Sequence, residues 1–236
     1  MKKKELMPAC MPKTFEEIRE TALSVRGLVE TIQLDIMDGK YVPEKTWPFM
    51  HKNDFILEEM KSGEKGFPLW EELNYELDLM VERPEKTLDT WLSLGASRVI
   101  FHYASVSDWD KIRRIDPVMR NFTPIGLALT IYDDLEEIFR LIDEKIVDFI
   151  QVMGIARIGY MGEPFTEKSL EVIRQIKEKY PELVISVDGG VSEHTIPELR
   201  ELGVERFVSG SAVFGGGSIE ENIHFLKEEI EIKNNK

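Results

Sequence analysis

Short runs rich in Val, Ile and Phe alternate with segments of helical period along almost the whole chain. That alternation predicts a parallel sheet covered by helices. Eight strand candidates can be counted, at Leu6 to Met11, Val29 to Met37, Tyr75 to Val81, Arg98 to Ala104, Ile125 to Ile131, Phe149 to Ile155, Val184 to Val191 and Arg206 to Phe214. Helical segments lie between them at Phe15 to Val25, Glu85 to Leu94, Ser107 to Asn121, Leu135 to Ile142, Leu170 to Tyr180 and Ile196 to Leu202, and Ser218 to Lys236 reads as a closing helix. Thr166, Ser192 and Thr195 stand where helix caps are wanted, and Gly95 and Gly203 follow helix ends. Eight strands with intervening helices fit an α/β fold of the closed (β/α)8 TIM-barrel kind, with an open doubly wound sheet as the alternative.

The 236 residues suit one such barrel, and neither a linker nor a low-complexity tract divides them, so residues 1–236 read as a single domain. One connection, residues 40–70, is long and carries a helix candidate at Phe55 to Met60. A loop of this length covers the barrel mouth, makes a subunit contact, or packs its own helix as a surface excursion.

Lys plus Arg number 30 against 44 Asp plus Glu, a net charge of −14 that repels a phosphate backbone and an anionic membrane surface. Nucleic-acid and membrane partners are therefore not expected. No apolar run reaches the ~18 to 20 residues of a spanning helix, and the start MKKKELMPAC lacks the apolar core of a signal peptide, so the chain reads as cytoplasmic. The single cysteine, Cys10, leaves no internal disulfide framework and no Cys-based zinc site.

In a barrel of this kind chemistry sits at the C-terminal ends of the strands. The second strand ends Gln33-Leu-Asp-Ile-Met-Asp-Gly39, so Gln33, Asp35 and Met37 share one face and Leu34 and Ile36 the other. Asp78 and Met80 share a face at the end of the third strand, His102 ends the fourth, Met153 lies in the sixth, and Asp188 ends the seventh. Asp35, Asp78 and Asp188 are thereby expected to converge on one pocket, where mutual repulsion requires a cation or a shared proton. Taken singly, an Asp-Gly pair is a turn, a lone histidine is a satisfied core residue, and a methionine fills a gap.

A separate signal concerns phosphate. Asp188-Gly-Gly-Val191 closes the seventh strand and Val208-Ser-Gly-Ser-Ala212 the eighth. Loops after these two strands are the recurring phosphate site of such barrels, and Gly189, Gly190, Gly210 and Ser211 let backbone N–H groups approach an anion. Gly159 and Gly162, after the sixth strand, are candidates for a third wall.

With these residues in view the chain resembles the ribulose-phosphate 3-epimerases and their relatives, including the allulose 6-phosphate 3-epimerases. The blocks that carry the resemblance are Leu34-Asp-Ile-Met-Asp-Gly-Lys-Tyr-Val-Pro43, Leu79-Met-Val-Glu-Arg-Pro-Glu85, Val152-Met153, Val187-Asp-Gly-Gly-Val191 with Thr195-Ile196, and Gly210-Ser-Ala-Val-Phe214. The resemblance implies a barrel enzyme that removes the C3 proton of a ketose phosphate and returns one on the opposite face. It implies Asp35 and Asp188 as the acid/base pair, a divalent metal beside the enediolate, Met37, Met80 and Met153 along that intermediate, a sugar-phosphate partner and a homo-oligomer.

The departures from the family pattern are as informative. Gln33 and Asp78 stand where the family has metal-binding histidines, so oxygen ligation by Gln33, Asp35, Asp78 and Asp188 disfavours zinc and suits Mg²⁺ or Mn²⁺. The family's first-strand serine is missing from Pro8-Ala-Cys-Met-Pro12, its Asn-Pro-Gly-Phe-Gly-Gly loop becomes Ala156-Arg-Ile-Gly-Tyr-Met-Gly162, and Ala104 replaces a carboxylate after His102. Three accounts stay open: an epimerase of D-ribulose 5-phosphate and D-xylulose 5-phosphate with a hard cation, a relative drifted to a hexulose 6-phosphate or another reaction with Arg157 or a substrate group in place of any metal, and a non-catalytic phosphosugar-binding barrel.

Overall fold

The computed structural model describes residues 3–52, 54–160 and 162–232. The last four positions of the expected closing helix, 233–236, lie outside the described residues. Eight parallel strands pair in sequence order and close on themselves: β1 Glu5–Cys10, β2 Thr31–Met37, β3 Asn74–Met80, β4 Arg98–His102, β5 Ile125–Leu129, β6 Phe149–Met153, β7 Ile185–Asp188 and β8 Arg206–Ser209. Ten α-helices accompany them among the described residues: α1 Phe15–Val25, α2 Phe55–Lys61, α3 Leu88–Ser93, α4 Trp109–Arg113, α5 Pro117–Phe122, α6 Leu135–Asp143, α7 Lys168–Lys179, α8 Ile196–Glu201, α9 Ser211–Phe214 and α10 Ile219–Glu231. The closed TIM barrel replaces the open-sheet alternative, and closure removes every edge strand.

Strand parity sorts the side chains. Leu34, Ile36, Leu77, Leu79, Val152 and Val187 turn outward and pack with Ile18, Ala22, Ile173 and Ile176 in one large core under the helices. Residues of the other parity turn inward, where the apolar ones form only small separate clusters such as Met7, Ala9 and Val208. The rest of the lumen is polar. Gln33, Glu76, Asp78, Gln151 and Ser186 are all fully buried there. At the N-terminal end Glu76 Oε2 lies 2.6 Å from Arg98 Nε, Arg98 Nη1 donates to Glu5 at 3.2 Å, and Arg206 stacks over Phe149 at 4.5 Å.

Three local expectations are corrected. The helical segment from Ser107 to Asn121 is two helices, because Pro117 cannot continue α4 and instead opens α5 behind Asp116, whose side chain accepts from Val118 N at 2.8 Å. The eighth strand stops at Ser209: Val213 N and Phe214 N return to Gly210 O, and the stretch through Phe214 coils into α9. Neither Thr166 nor Thr195 caps a helix through its side chain: α7 begins after Glu167, and Thr195 Oγ1 accepts from Ser192 N at 3.0 Å.

The long connection after β2 returns to the barrel mouth through one threonine. Thr46 Oγ1 donates to Asp35 O at 2.7 Å and accepts from Met37 N at 2.8 Å, so residues 40–70 are tied to the end of the strand that carries Asp35. Trp47 follows, fully buried between Phe15 and Phe67 at ring distances of 5.5 and 6.5 Å. Anchored in this way, the segment braces the mouth.

Candidate active site

β2 and β3 run in register with Gln33 beside Glu76, Asp35 beside Asp78 and Met37 beside Met80. The inward parity that brings Asp35 to the lumen therefore brings Asp78 to the same level. β7 contributes Asp188, paired in register with Met153 of β6 and Val208 of β8. Carboxylate oxygens of Asp35, Asp78 and Asp188 all lie within 4.8 Å of one another. The three carboxylates converge as expected, although only Asp35 and Asp188 line the cavity above them.

Gln33 sits among them. Its Nε2 donates to Asp35 Oδ1 and to Asp188 Oδ2, both at 2.9 Å. The third carboxylate is held separately, with His102 Nε2 2.8 Å from Asp78 Oδ1 and Gln151 Nε2 donating to Asp78 Oδ2 at 3.4 Å. Ser186 Oγ donates in turn to Gln151 Oε1 at 3.3 Å. One amide thus bridges two carboxyl groups, while an imidazole and a second amide orient the other.

Burial of so much potential charge acts on the acidities. Burial first, and then the negative charges of Asp188 and Asp78, hold Asp35 well above the usual carboxylate range. Asp188 is pushed up to about 7, again by burial first and by Asp78 second, with the Gln33 hydrogen bond and His102 pulling back. Near neutral pH the pair therefore includes a protonated member, the condition a donor and an acceptor of protons require.

A cavity opens above. Asp35 and Asp188 face it together with Met80 and Met153, and its walls come from Gly159, Gly162, Gly189, Gly190, Gly210 and Ser211. Gln33, Asp78 and His102 are not among the cavity's lining residues, and Met37 packs beneath with Met80 and Val42. The glycines are sterically required at the turn after β7: Gly189 has φ +94° and a Cβ there would stand 2.8 Å from Ile155, while Gly190 has φ +69° and a Cβ would meet Phe165 at the same distance. Ser209 Oγ donates to Val191 O at 2.8 Å and ties the β7 and β8 loops together.

Arg157 is the candidate that the structure does not bring to the carboxylates. Its side chain is 71% exposed and its guanidinium binds Glu163, with Nη2 2.5 Å from Oε1. Glu163 itself lines the cavity. Sequence reasoning misses Glu163, Gln151 and Ser186, although Gln151 shares strand parity with Met153 and is within reach of that signal.

The residues present fit a divalent cation. Three buried carboxylates converge, and Gln33 Oε1, fully buried, has no hydrogen-bond partner among the described residues. Asp35, Asp78 and Asp188, with Gln33, are the residues that would hold it.

Comparison with known proteins decides the relationship. The model of the Ribulose-phosphate 3 epimerase family matches residues 5–214. This chain belongs to the ribulose-phosphate 3-epimerase family. It is similar to the cytoplasmic isoform of ribulose-phosphate 3-epimerase from Oryza sativa subsp. japonica, 27% identical over 235 residues, or 98% of this chain and 96% of that protein. It is likewise 24% identical over 235 residues to the ribulose-phosphate 3-epimerase of Escherichia coli K12, covering 98% and 97% of the two chains. Among solved structures, KGPDC from Streptococcus mutans superposes with a TM-score of 0.72 at 15% identity and covers 97% of each chain. A 3-hexulose-6-phosphate synthase superposes with a TM-score of 0.66 at 18% identity, over 96% of this chain and 99% of that one. These two likenesses show the barrel fold. The family relationship over most of the chain makes the protein an epimerase, an isomerase by class. No helix among the described residues is long and apolar enough to cross a membrane.

Proposed function

We propose that the protein interconverts D-ribulose 5-phosphate and D-xylulose 5-phosphate by moving a proton at C3. The observation that carries the reading is the pairing of Asp35 and Asp188, from strands three places apart round the barrel, on the floor of one cavity. A C–H next to a carbonyl is a weak acid, and inversion needs one group to take the proton from one face and another to supply it on the other. Two carboxyl groups whose acidity burial weakens, Asp188 to a pKa of about 7, meet that need.

In this reading the ketose lies between the two aspartates with its phosphate among the backbone amides at Gly189, Gly190, Gly210 and Ser211. The ionised aspartate removes the C3 proton, the electrons pass into the C2 carbonyl to give the enediolate, and the protonated aspartate returns a proton to the opposite face. Gln33 lies between the two carboxyl groups, within 2.9 Å of an oxygen of each. Met80 and Met153 give the intermediate an apolar, water-poor lining that protects it from stray protonation. Asp35, Asp78 and Asp188, with Gln33, would hold a divalent cation, which would supply positive charge beside the developing enediolate.

Proton NMR in D₂O tests the reading. With Mn²⁺ or Mg²⁺ present, D-ribulose 5-phosphate should exchange its C3 proton for deuterium as D-xylulose 5-phosphate appears. Exchange with D-allulose 6-phosphate and none with the pentulose would move the substrate to the hexulose class, and no exchange with either would leave a binding role.

A further inference from the structure

The groups gathered around Asp35, Asp78 and Asp188 offer oxygen, and no thiol joins them among the described residues. The nearby imidazole of His102 is engaged with Asp78 Oδ1 at 2.8 Å and supports that carboxylate from outside the cluster.

Gln33 is the informative group. Its Nε2 contacts Asp35 and Asp188, whereas Oε1 is buried without a hydrogen-bond partner among the described residues. The two ends of a carboxamide have nearly the same shape, so a half-turn of the terminal torsion exchanges them within one volume. Without a cation, the N–H end facing two carboxyl groups is the favourable orientation. With a cation among those carboxylates, the N–H end is repelled and the oxygen end is drawn in. The oxygen then gains a ligand bond, and the N–H end gives up its two carboxyl partners, whose charge the cation now meets.

We propose that Gln33 makes this a hard-cation site of the Mg²⁺ and Mn²⁺ class, ligated by Asp35, Asp78, Asp188 and Gln33 Oε1, and that the Gln33 amide turns over when the cation binds. The inference deepens the epimerase reading and rests on it for the reaction the cation serves. Carboxylate and amide oxygens suit Mg²⁺ and Mn²⁺, whereas imidazole suits zinc, so the loss of nitrogen ligands narrows zinc's advantage over manganese.

The test is calorimetric titration of chelator-treated protein with MnCl₂, MgCl₂ and ZnCl₂, with the melting temperature as a second readout. Wild type should bind one Mn²⁺ and melt higher with it. Gln33→Met, close in volume but without the oxygen, should bind Mn²⁺ at least ten-fold more weakly. Gln33→His should shift the zinc-to-manganese affinity ratio at least ten-fold toward zinc. Unchanged Mn²⁺ affinity in Gln33→Met would overturn ligation by the amide, an unchanged ratio in Gln33→His would overturn the selectivity, and absence of Mn²⁺ and Mg²⁺ binding to wild type would overturn the site. None of these readouts uses substrate, so Mn²⁺ binding without C3 exchange would overturn the epimerase reading alone.

Discussion

Asp35 and Asp188 are carboxylic acids whose surroundings favour the neutral form, and both their chemistry and their effect on stability follow from that. In the proposed proton-transfer role they are not interchangeable with amides of the same shape. Asp35→Asn and Asp188→Asn should each lower kcat by about 10²–10⁴, the usual range for positioned acid/base groups, while substrate still raises the melting temperature through the phosphate loops. Retention of full turnover in either variant would remove the assignment. The stability effect has a definite sign. Asp188 titrates at about 7 in the folded chain and about 4 when unfolded, so its neutral form contributes stability below about pH 4 that is lost as pH rises through about 7. Metal-free wild type should therefore lose resistance to urea between about pH 4 and 7.5, and level off above that, more steeply than metal-free Asp188→Asn. Added Mn²⁺ should flatten the wild-type profile, because the cation binds the ionised form.

Among the elements, β2 and the segment that follows it form a unit. The Thr46 side chain makes two hydrogen bonds to the strand on either side of Ile36, at Asp35 O and Met37 N. Thr46→Val keeps the shape and removes both, which should cost about 1–3 kcal/mol in urea unfolding because two buried backbone groups lose their partner. Turnover should fall with KM nearly constant, since the affected backbone carries Asp35 rather than the phosphate loops. The loop after β7 has the opposite signature. A methyl group on Gly190 meets Phe165 at 2.8 Å in a left-handed backbone conformation, so Gly190→Ala should raise KM for the phosphorylated substrate more than it lowers kcat. Steady-state kinetics on the two variants separates these roles.

At the scale of the whole molecule, the barrel lumen is a column of charge in a chain of net −14, with Arg98, Arg206, Glu5 and Glu76 at one end and the three aspartates toward the other. Arg98→Met should cost about 3–5 kcal/mol, because it leaves Glu76 buried without its closest positive partner, and calorimetry would read the loss directly. Much of this architecture is legible in the linear chain. Apolar runs at regular spacing mark all eight strands, and parity places Gln33 with Asp35 and Asp78 with Met80, because a strand alternates its faces wherever it lies. The end of β8 misleads because Gly210-Ser-Ala-Val-Phe214 has strand-like composition, and the carbonyls of Gly210, accepting from Val213 and Phe214, and of Ser211, accepting from Gly215, close it into a helix. Position after β6 groups Arg157 with the site, but its partner Glu163 draws it to the surface. Gln151 and Ser186 look like ordinary polar residues because their value lies in partners distant in sequence. By itself the sequence determined the alternation, the inward parity and the identity of the candidate site residues, all of which are local properties. Closure of the barrel decided the rest: which carboxylates lie together, which amide bridges two of them and which imidazole orients the third depend on distances between strands far apart along the chain.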